Sequence, residues 1–292
     1  MNNAPETTRR NAGGSAAQVH SLLRGLHQGS AKALLLVVLG EFVWPQRQPV
    51  WSATLLAALA ELGIEPNAAR KALSRTAESG LISPERSGRR VRWALAERGN
   101  RIMQSGYVRT YGWGTRENDW DGRWLLLSVT IPEARRATRQ RLHARLGWAG
   151  LGSPLPGQWL TPHWERGAEI VEIVTGLGLE EHAHAVIGPI GPIGNEHRLV
   201  SAAWDLDELR SRYDQFIATY SSAEPAGDRA CFQARIALVQ DWRYFPYSDP
   251  DLPPLFLPRG WPGDEAARIF HVRHREWESA SQRYWTRIIE SV

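Results

Sequence analysis

The sequence predicts an α+β fold built in three parts, and three observations predict it. A basic amphipathic helix with a basic hairpin behind it lies between Gly63 and Gly99. Strand and helix patterns alternate from Trp124 to Ile187. Helical patterns fill the last third, interrupted by one long proline-rich stretch. A chain of 292 residues is enough for two or three domains with ample core. Charge is divided unevenly. Up to Arg109 there are 15 Lys+Arg against 7 Asp+Glu, and the remainder carries 20 against 24. The whole-chain net of +4 hides this asymmetry. A basic part of this kind supplies counterion-release affinity for DNA. Lys32 and Lys71 are the only lysines, so the basicity is almost all arginine, and that choice is not read as function.

Residues 1–29 are rich in Asn, Thr, Gly and Ala and are expected to form a mobile arm, with a short helix near Val19 to Leu26. Ser30 is placed to cap a helix through Phe42. Its Ala33 to Leu39 run is apolar all round, which marks a buried helix. It is far shorter than the roughly 20 residues of a membrane span. Trp51 to Leu62 is amphipathic, with Leu55, Leu56, Leu59 and Leu62 near one face and Ser52 as the expected N-cap. Gly63 fits the left-handed position that ends a helix, and Pro66 fits the first position of the next.

On a helical wheel from Asn67, one side carries Asn67, Arg70, Lys71, Ser74 and Glu78; the other carries Ala69, Ala72, Leu73, Thr76 and Ala77. Two helices joined by a tight glycine turn make a helix-turn-helix. Ser83-Pro84 then leads into Arg86, Arg89, Arg90 and Arg92, with Arg92 to Leu95 returning from a hairpin around Ser87-Gly88. Residues 30–110 therefore read as a winged helix-turn-helix. The helix would enter the major groove, and the wing would follow the backbone or minor groove. The candidate DNA contacts are Asn67, Arg70, Lys71, Ser74 and Arg75 on the helix, and Arg86, Arg89, Arg90 and Arg92 on the wing. The alternative for a basic helix is a solvated face; the preceding helix, the turn and the hairpin argue against that here.

Tyr111 to Gly122 reads as a linker. Trp124 to Ile131 then reads as a strand, Glu133 to Leu146 as a helix, Gln158 to Thr161 as a strand, Gly167 to Thr175 as a helix and Ala183 to Ile187 as a strand. That order predicts a ferredoxin-like domain over residues 120–203. Its enzyme-like features have plainer readings. Gly147, Gly150 and Gly152 lack the spacing of a phosphate loop and precede prolines 154 and 156. The Gly188 to Gly194 run reads as a turn. His182 and His184 would share a strand face, but no third metal ligand accompanies them. No nucleophile elbow, zincin motif or kinase set occurs. The single cysteine, Cys231, excludes an internal disulfide. No metal or cofactor is expected. No charged segment followed by an apolar one opens the chain, so a cytoplasmic protein without a membrane partner is expected.

Residues 204–292 read as a mainly helical C-terminal domain. Trp204 to Tyr220 is a helix with Asp205 near its start, and Ala230 to Val239 is another. Prolines at 246, 250, 253, 254, 258 and 262 follow among aromatics. Asp264 is placed to cap a last helix, in which Phe270, Trp277, Tyr284 and Ile288 recur. The proline-rich loop either packs across the helices or lines a pocket, with arginines for anionic groups and aromatics for a ring. The candidate effector contacts are Trp242, Arg243, Tyr244, Trp261, Arg268 and His271.

From about Ser30 to Ile289 the chain resembles the PaaX family, the phenylacetic acid catabolon repressors. The pieces that carry the resemblance are ARKALSR (Ala69 to Arg75), WDGRW (Trp120 to Trp124), PGQWLTP (Pro156 to Pro162) and DWRYFPYSDPDLPPLFLPRGWPG (Asp241 to Gly263). The resemblance implies a transcriptional repressor with winged-helix, ferredoxin-like and helical domains, released from its operator by phenylacetyl-CoA. The middle domain also resembles the small CRISPR-adaptation nucleases, which carry an aspartate at the end of their first strand. Thr130 stands at that position, so nuclease activity is not implied. The expected partners are double-stranded operator DNA with an inverted repeat, an aryl-CoA effector such as phenylacetyl-CoA, and a second copy of the chain in a homodimer. The alternatives are a regulator of the same fold that senses another acyl-CoA or metabolite, and a metal-dependent nuclease.

Overall fold

The computed structural model describes residues 30–114 and 120–292, so the expected arm and its short helix lie outside the described residues. Helices and two small antiparallel sheets make up an α+β fold. The chain divides into two compact units. One takes the residues up to Gly114 with Phe216–Arg243 and Glu265–Val292; the other takes Thr115–Gln215 and Tyr244–Asp264.

The first unit opens with α1 (Ala31–Val38), capped as expected by Ser30, whose Oγ accepts from Ala33 N–H at 3.2 Å. A π turn over Leu39–Val43 continues it, closed by Trp44 N–H donating to Leu39 O. The wider turn brings Glu41 inside along with Phe42 and Val43. The two-residue strand β1 (Val50–Trp51) follows, then α2 (Ser52–Glu61). Ser52 is not the cap. It is the first helical residue, and its hydroxyl instead donates to Val91 O and accepts from Trp93 Nε1. The buried stripe of α2 is Thr54, Leu55, Ala58 and Leu59. Gly63, at φ 77°, ends the helix: its N–H bonds Ala60 O, and Ile64 N–H reaches back to Leu59 O. A side chain there would be strained, which is why glycine occupies the turn.

Helix α3 (Pro66–Glu78) starts on Pro66, where the missing N–H leaves no bond unmade. Strands β2 (Ile82–Ser87) and β3 (Arg90–Leu95) form the hairpin, with Ser87 opposite Arg90. β1 pairs with the other edge of β3, so β2 is an edge strand and tolerates Pro84. Helix α4 (Glu97–Tyr111) completes this part of the unit and takes in the first residue of the expected linker.

In the second unit β4 (Trp124–Val129) is the central strand, followed by α5 (Arg136–Trp148), β5 (Gln158–Thr161), α6 (Gly167–Thr175) and β6 (Ala183–Gly188). β5 and β6 both run antiparallel to β4. β4 is apolar on both faces because both are covered. Leu125, Leu127 and Val129 pack with Trp159, with Leu142 and Leu146 of α5, and with Ile170 and Ile173 of α6. Trp124 joins Leu160, Val200, Leu252 and Phe256 in a second cluster. Gly152 bridges to Leu160 beyond β5, and a Cβ on it would lie 2.5 Å from the Trp204 ring. Close packing, not phosphate binding, accounts for that glycine. His182 sits in a 3-10 turn and only His184 lies in β6, so the two do not share a strand face. Helix α7 (Glu196–Ala203) precedes α8 (Leu206–Tyr220), so the expected single helix from Trp204 starts later, with Asp205 Oδ1 accepting from Glu208 N–H.

The first unit resumes with α9 (Gly227–Trp242), buried through Cys231, Phe232, Arg235, Ile236, Leu238, Val239, Gln240 and Trp242. The expected last helix is two, α10 (Gly263–Glu276) and α11 (Glu278–Glu290), broken at Trp277; Asp264 lies inside the first turn of α10. Phe42 stacks on Trp285 at 5.2 Å and meets Phe232 at 5.1 Å. That aromatic cluster fastens the N-terminal segment to α9 and α11.

Candidate nucleic-acid interface

Ala69, Ala72, Leu73 and Thr76 bury the inner face of α3, and Thr76 Oγ1 satisfies itself on Ala72 O. With that face fixed, Asn67, Arg70, Lys71, Ser74 and Arg75 are all exposed, as their spacing requires. Arg70 donates to Asn67 Oδ1 at 3.2 Å and Ser74 to Glu78 Oε1 at 2.9 Å. Among the described residues, none of the three cations on this helix forms an ion pair with a carboxylate. Lys32, at the start of α1, adds to this field. Burial and then the charges of Arg75 and Arg98 lower its pKa. It is a candidate contact that the sequence did not single out.

Arg86, Arg89, Arg90 and Arg92 are exposed on the hairpin, but they do not form one row. Arg92 lies opposite both Glu85 and Trp51, whereas Arg86 pairs with Val91 on the alternate face. The Arg92 guanidinium stacks 4.0 Å from the Trp51 ring and that of Arg90 lies 5.8 Å away. Trp51 thus orients two of the four arginines, and the Ser52–Trp93 bond locks the hairpin to α2.

A buried polar cluster joins the same segment to the C-terminal helices of its unit. Glu41 Oε2 accepts from Arg235 Nε at 2.8 Å and lies 2.9 Å from His274 Nε2, and Tyr111 OH donates to Oε1. Burial alone would raise the Glu41 pKa. The hydrogen bond and charge of His274, the charge of Arg235 and the Tyr111 hydroxyl bring it down to about 2.

The candidate effector residues divide between the units. Trp242, Arg243, Arg268 and His271 belong to the first, Tyr244 and Trp261 to the second. Trp242 is fully buried: its N–H donates to Thr110 O and its ring stacks on Phe270 at 4.7 Å. Arg243 caps α9 and Arg268 is exposed beside Glu265. The buried Nε2 of His271 has no hydrogen-bond partner among the described residues. In the second unit Arg212 lies 4.5 Å over the Tyr244 ring and Arg210 5.7 Å over Trp261. Asp249 was missed by sequence reasoning. Burial pushes its carboxyl up to about 6, although Tyr213 OH and Asp251 N–H both donate to it.

Among the described residues no cluster of three His, Cys, Asp or Glu is placed to hold a metal, and no helix is long and apolar enough to cross a membrane. β4 ends at Val129, and the residue after it is the exposed Thr130, which offers no carboxylate.

Residues 30–99 match the PaaX-like protein family, residues 117–200 the PaaX protein central Cas2-like domain, and residues 204–287 the PaaX-like protein C-terminal domain. The chain is 24% identical to the transcriptional repressor PaaX of Escherichia coli (strain K12) over 252 residues, which is 82% of this chain and 78% of that protein. Its fold is similar to that of the uncharacterized protein Rv0674 from Mycobacterium tuberculosis, with a TM-score of 0.56 and 19% identity, over 84% of this chain and 95% of that one. The three family matches run consecutively through nearly the whole described chain, and the chain belongs to the PaaX family of transcription regulators.

Proposed function

We propose that this regulator is a homodimeric, cytoplasmic DNA-binding repressor. Residues 30–110 form a winged helix-turn-helix, 120–203 a ferredoxin-like domain and 204–292 a mainly helical domain. The observation that carries the reading is α3, whose buried inner face leaves Asn67, Arg70, Lys71, Ser74 and Arg75 exposed, with the arginine hairpin next in the chain. α3 reads base edges in the major groove, and Arg86, Arg89, Arg90 and Arg92 contact the backbone beside it. The ferredoxin-like reading is supported by the antiparallel order β5-β4-β6, with the Gly152 bridge standing where a fourth strand would pair with β5.

Two copies would read an inverted repeat with two-fold symmetry. The edge of β6, unpaired among the described residues, supports pairing between copies: Val186 and Ile187 there are 60% and 50% exposed. The effector is an aryl-CoA thioester such as phenylacetyl-CoA. Tyr244 and Trp261, each under an arginine of α8, supply the ring-plus-cation chemistry it needs. Trp242, fully buried in the first unit, supports the core there instead of touching ligand.

The test is a gel shift with DNA from upstream of the protein's own gene, with phenylacetyl-CoA, phenylacetate or acetyl-CoA added. An inducer must bind the DNA-incompetent state better, and a difference of roughly 3 kcal/mol lowers operator affinity about 100-fold. Release by the aryl thioester alone supports the reading. Release by phenylacetate to the same extent, or by no acyl-CoA, refutes the effector assignment.

A further inference from the structure

Five of the 20 basic residues after Arg109 fall within residues 135–145, and no Asp or Glu occurs between Ala134 and Trp164. The otherwise acidic remainder of the chain thus carries one concentrated block of positive charge, on and just before α5. Arg135, Arg136, Arg139 and Arg141 are exposed, as is His143. None of the four arginines forms an ion pair among the described residues. Arg139 bonds the Ile131 carbonyl at 3.1 Å, and Arg141 the Thr138 hydroxyl at 3.3 Å.

The placement works against the helix itself. The first turn of α5 has no acidic residue and begins on Arg136, with Arg135 at the N-cap. Cations at the positive end of a helix dipole are unfavourable. A local rule broken this way, with no internal carboxylate to relieve it, marks a surface built for an external anion.

The shape selects the anion. Leu142 and Leu146 anchor α5 inward. At 100° per residue, Arg136, Arg139 and His143 then lie on one flank and Arg141 on the other, with Ala137, Gln140 and Ala144 on the crest between them. The crest carries no acidic residue and two alanines, and flanking arginines reach to both sides. Arg136 to Arg141 spans about 7.5 Å of helix, the rise of roughly two phosphate steps along one DNA strand. A convex ridge of this kind fits a polyanion's backbone, not a small ligand that needs a pocket.

We propose that α5 is a second DNA-binding surface, which holds the phosphate backbone of duplex DNA without reading its sequence. The inference goes beyond the proposed operator reading, which confines DNA contact to residues up to 110, and it does not depend on it.

The test compares the full chain with the triple variants Arg136→Gln/Arg139→Gln/Arg141→Gln and Arg136→Lys/Arg139→Lys/Arg141→Lys. Each is titrated on a 40-base-pair duplex of arbitrary sequence at a series of salt concentrations, with thermal melting to confirm folding. Each phosphate contact contributes about 0.9 to the slope of log affinity against log salt, so the Gln triple lowers the slope by about 2 to 3. The Lys triple retains it. An unchanged slope in the Gln triple overturns the proposal, as does equal loss in both triples, which would trace the effect to packing instead of charge. An unchanged DNA slope with loss of binding to anionic vesicles would assign the ridge to a membrane surface and overturn it too. If the wild type shows no preference for its own upstream DNA while the Gln triple still loses slope, the operator reading fails and this inference stands.

Discussion

Replacing Glu41 by Gln should uncouple the N-terminal helix from the C-terminal helices of the same unit. Glu41 receives Arg235 Nε, faces His274 Nε2 and accepts the Tyr111 hydroxyl, from segments far apart in sequence. Arg235 is 4% exposed at its side chain, and its only other carboxylate among the described residues is Glu278 at 3.7 Å. The neutral amide would leave that guanidinium buried without its counter-charge. A carboxyl brought from 4.5 to about 2 is stabilised by about 3 kcal/mol relative to its protonated form. Breaking one side of a buried ion pair costs about 3–5 kcal/mol, so the two routes agree. The sign follows from the depressed pKa: the stabilisation is fully present above 4.5 and is lost as pH falls toward about 2. Urea denaturation of wild type and Glu41→Gln, followed by tryptophan fluorescence at a series of pH values, reads both quantities. The expected gap is about 3 kcal/mol at pH 7 and shrinks below pH 4.5. A gap under about 1 kcal/mol at pH 7, or one that does not change with pH, would show that the Glu41 carboxylate does not hold the two segments together.

The hairpin, the free strand edge and the second buried carboxylate each give a further outcome. Arg89→Ala with Arg90→Ala should weaken binding to all DNA sequences evenly and lower the salt slope by about 2, measured by fluorescence anisotropy; loss confined to operator DNA would contradict a backbone role. Val186→Lys on the edge of β6 should shift the protein from dimer to monomer in analytical ultracentrifugation without lowering its melting temperature, and an intact dimer would move the interface elsewhere. Asp249 is raised from 3.8 to about 6, so its stabilising contribution is full below 3.8 and is lost as pH rises through about 6. Asp249→Asn should remove that loss, worth about 3 kcal/mol, and a variant with the wild-type pH profile would show that the carboxyl is not the titrating group.

The parts of the fold and of the candidate site that follow one local period were legible in the sequence. The exposed row of α3 and the left-handed Gly63 follow from spacing and from glycine's freedom, and the bounds of β5 and α6 agree with the expected segments. What escaped depends on distant partners. β1 is two residues long and exists only because Val50 and Trp51 pair with Trp93 and Arg92. Helix α4 is polar and contains Gly99, which reads as a breaker; a Cβ there would lie 2.0 Å from Leu81 O. The heptad-like aromatics of the last segment hid the break at Trp277. Glu41 looked like one acidic residue in an apolar run. Only the π turn and the approach of Arg235 and His274 make it the centre of a buried cluster.

Footprinting of Arg70→Ala/Lys71→Ala against wild type on the upstream DNA decides whether α3 reads operator DNA. A base-contacting pair carries about 1–3 kcal/mol of discrimination. Wild type should protect an inverted repeat, and the double variant should lose this protection by about 10- to 100-fold in concentration while keeping its fold and its weak binding to arbitrary duplex. Protection of the same repeat at the same concentration by the double variant would show that α3 does not read the operator.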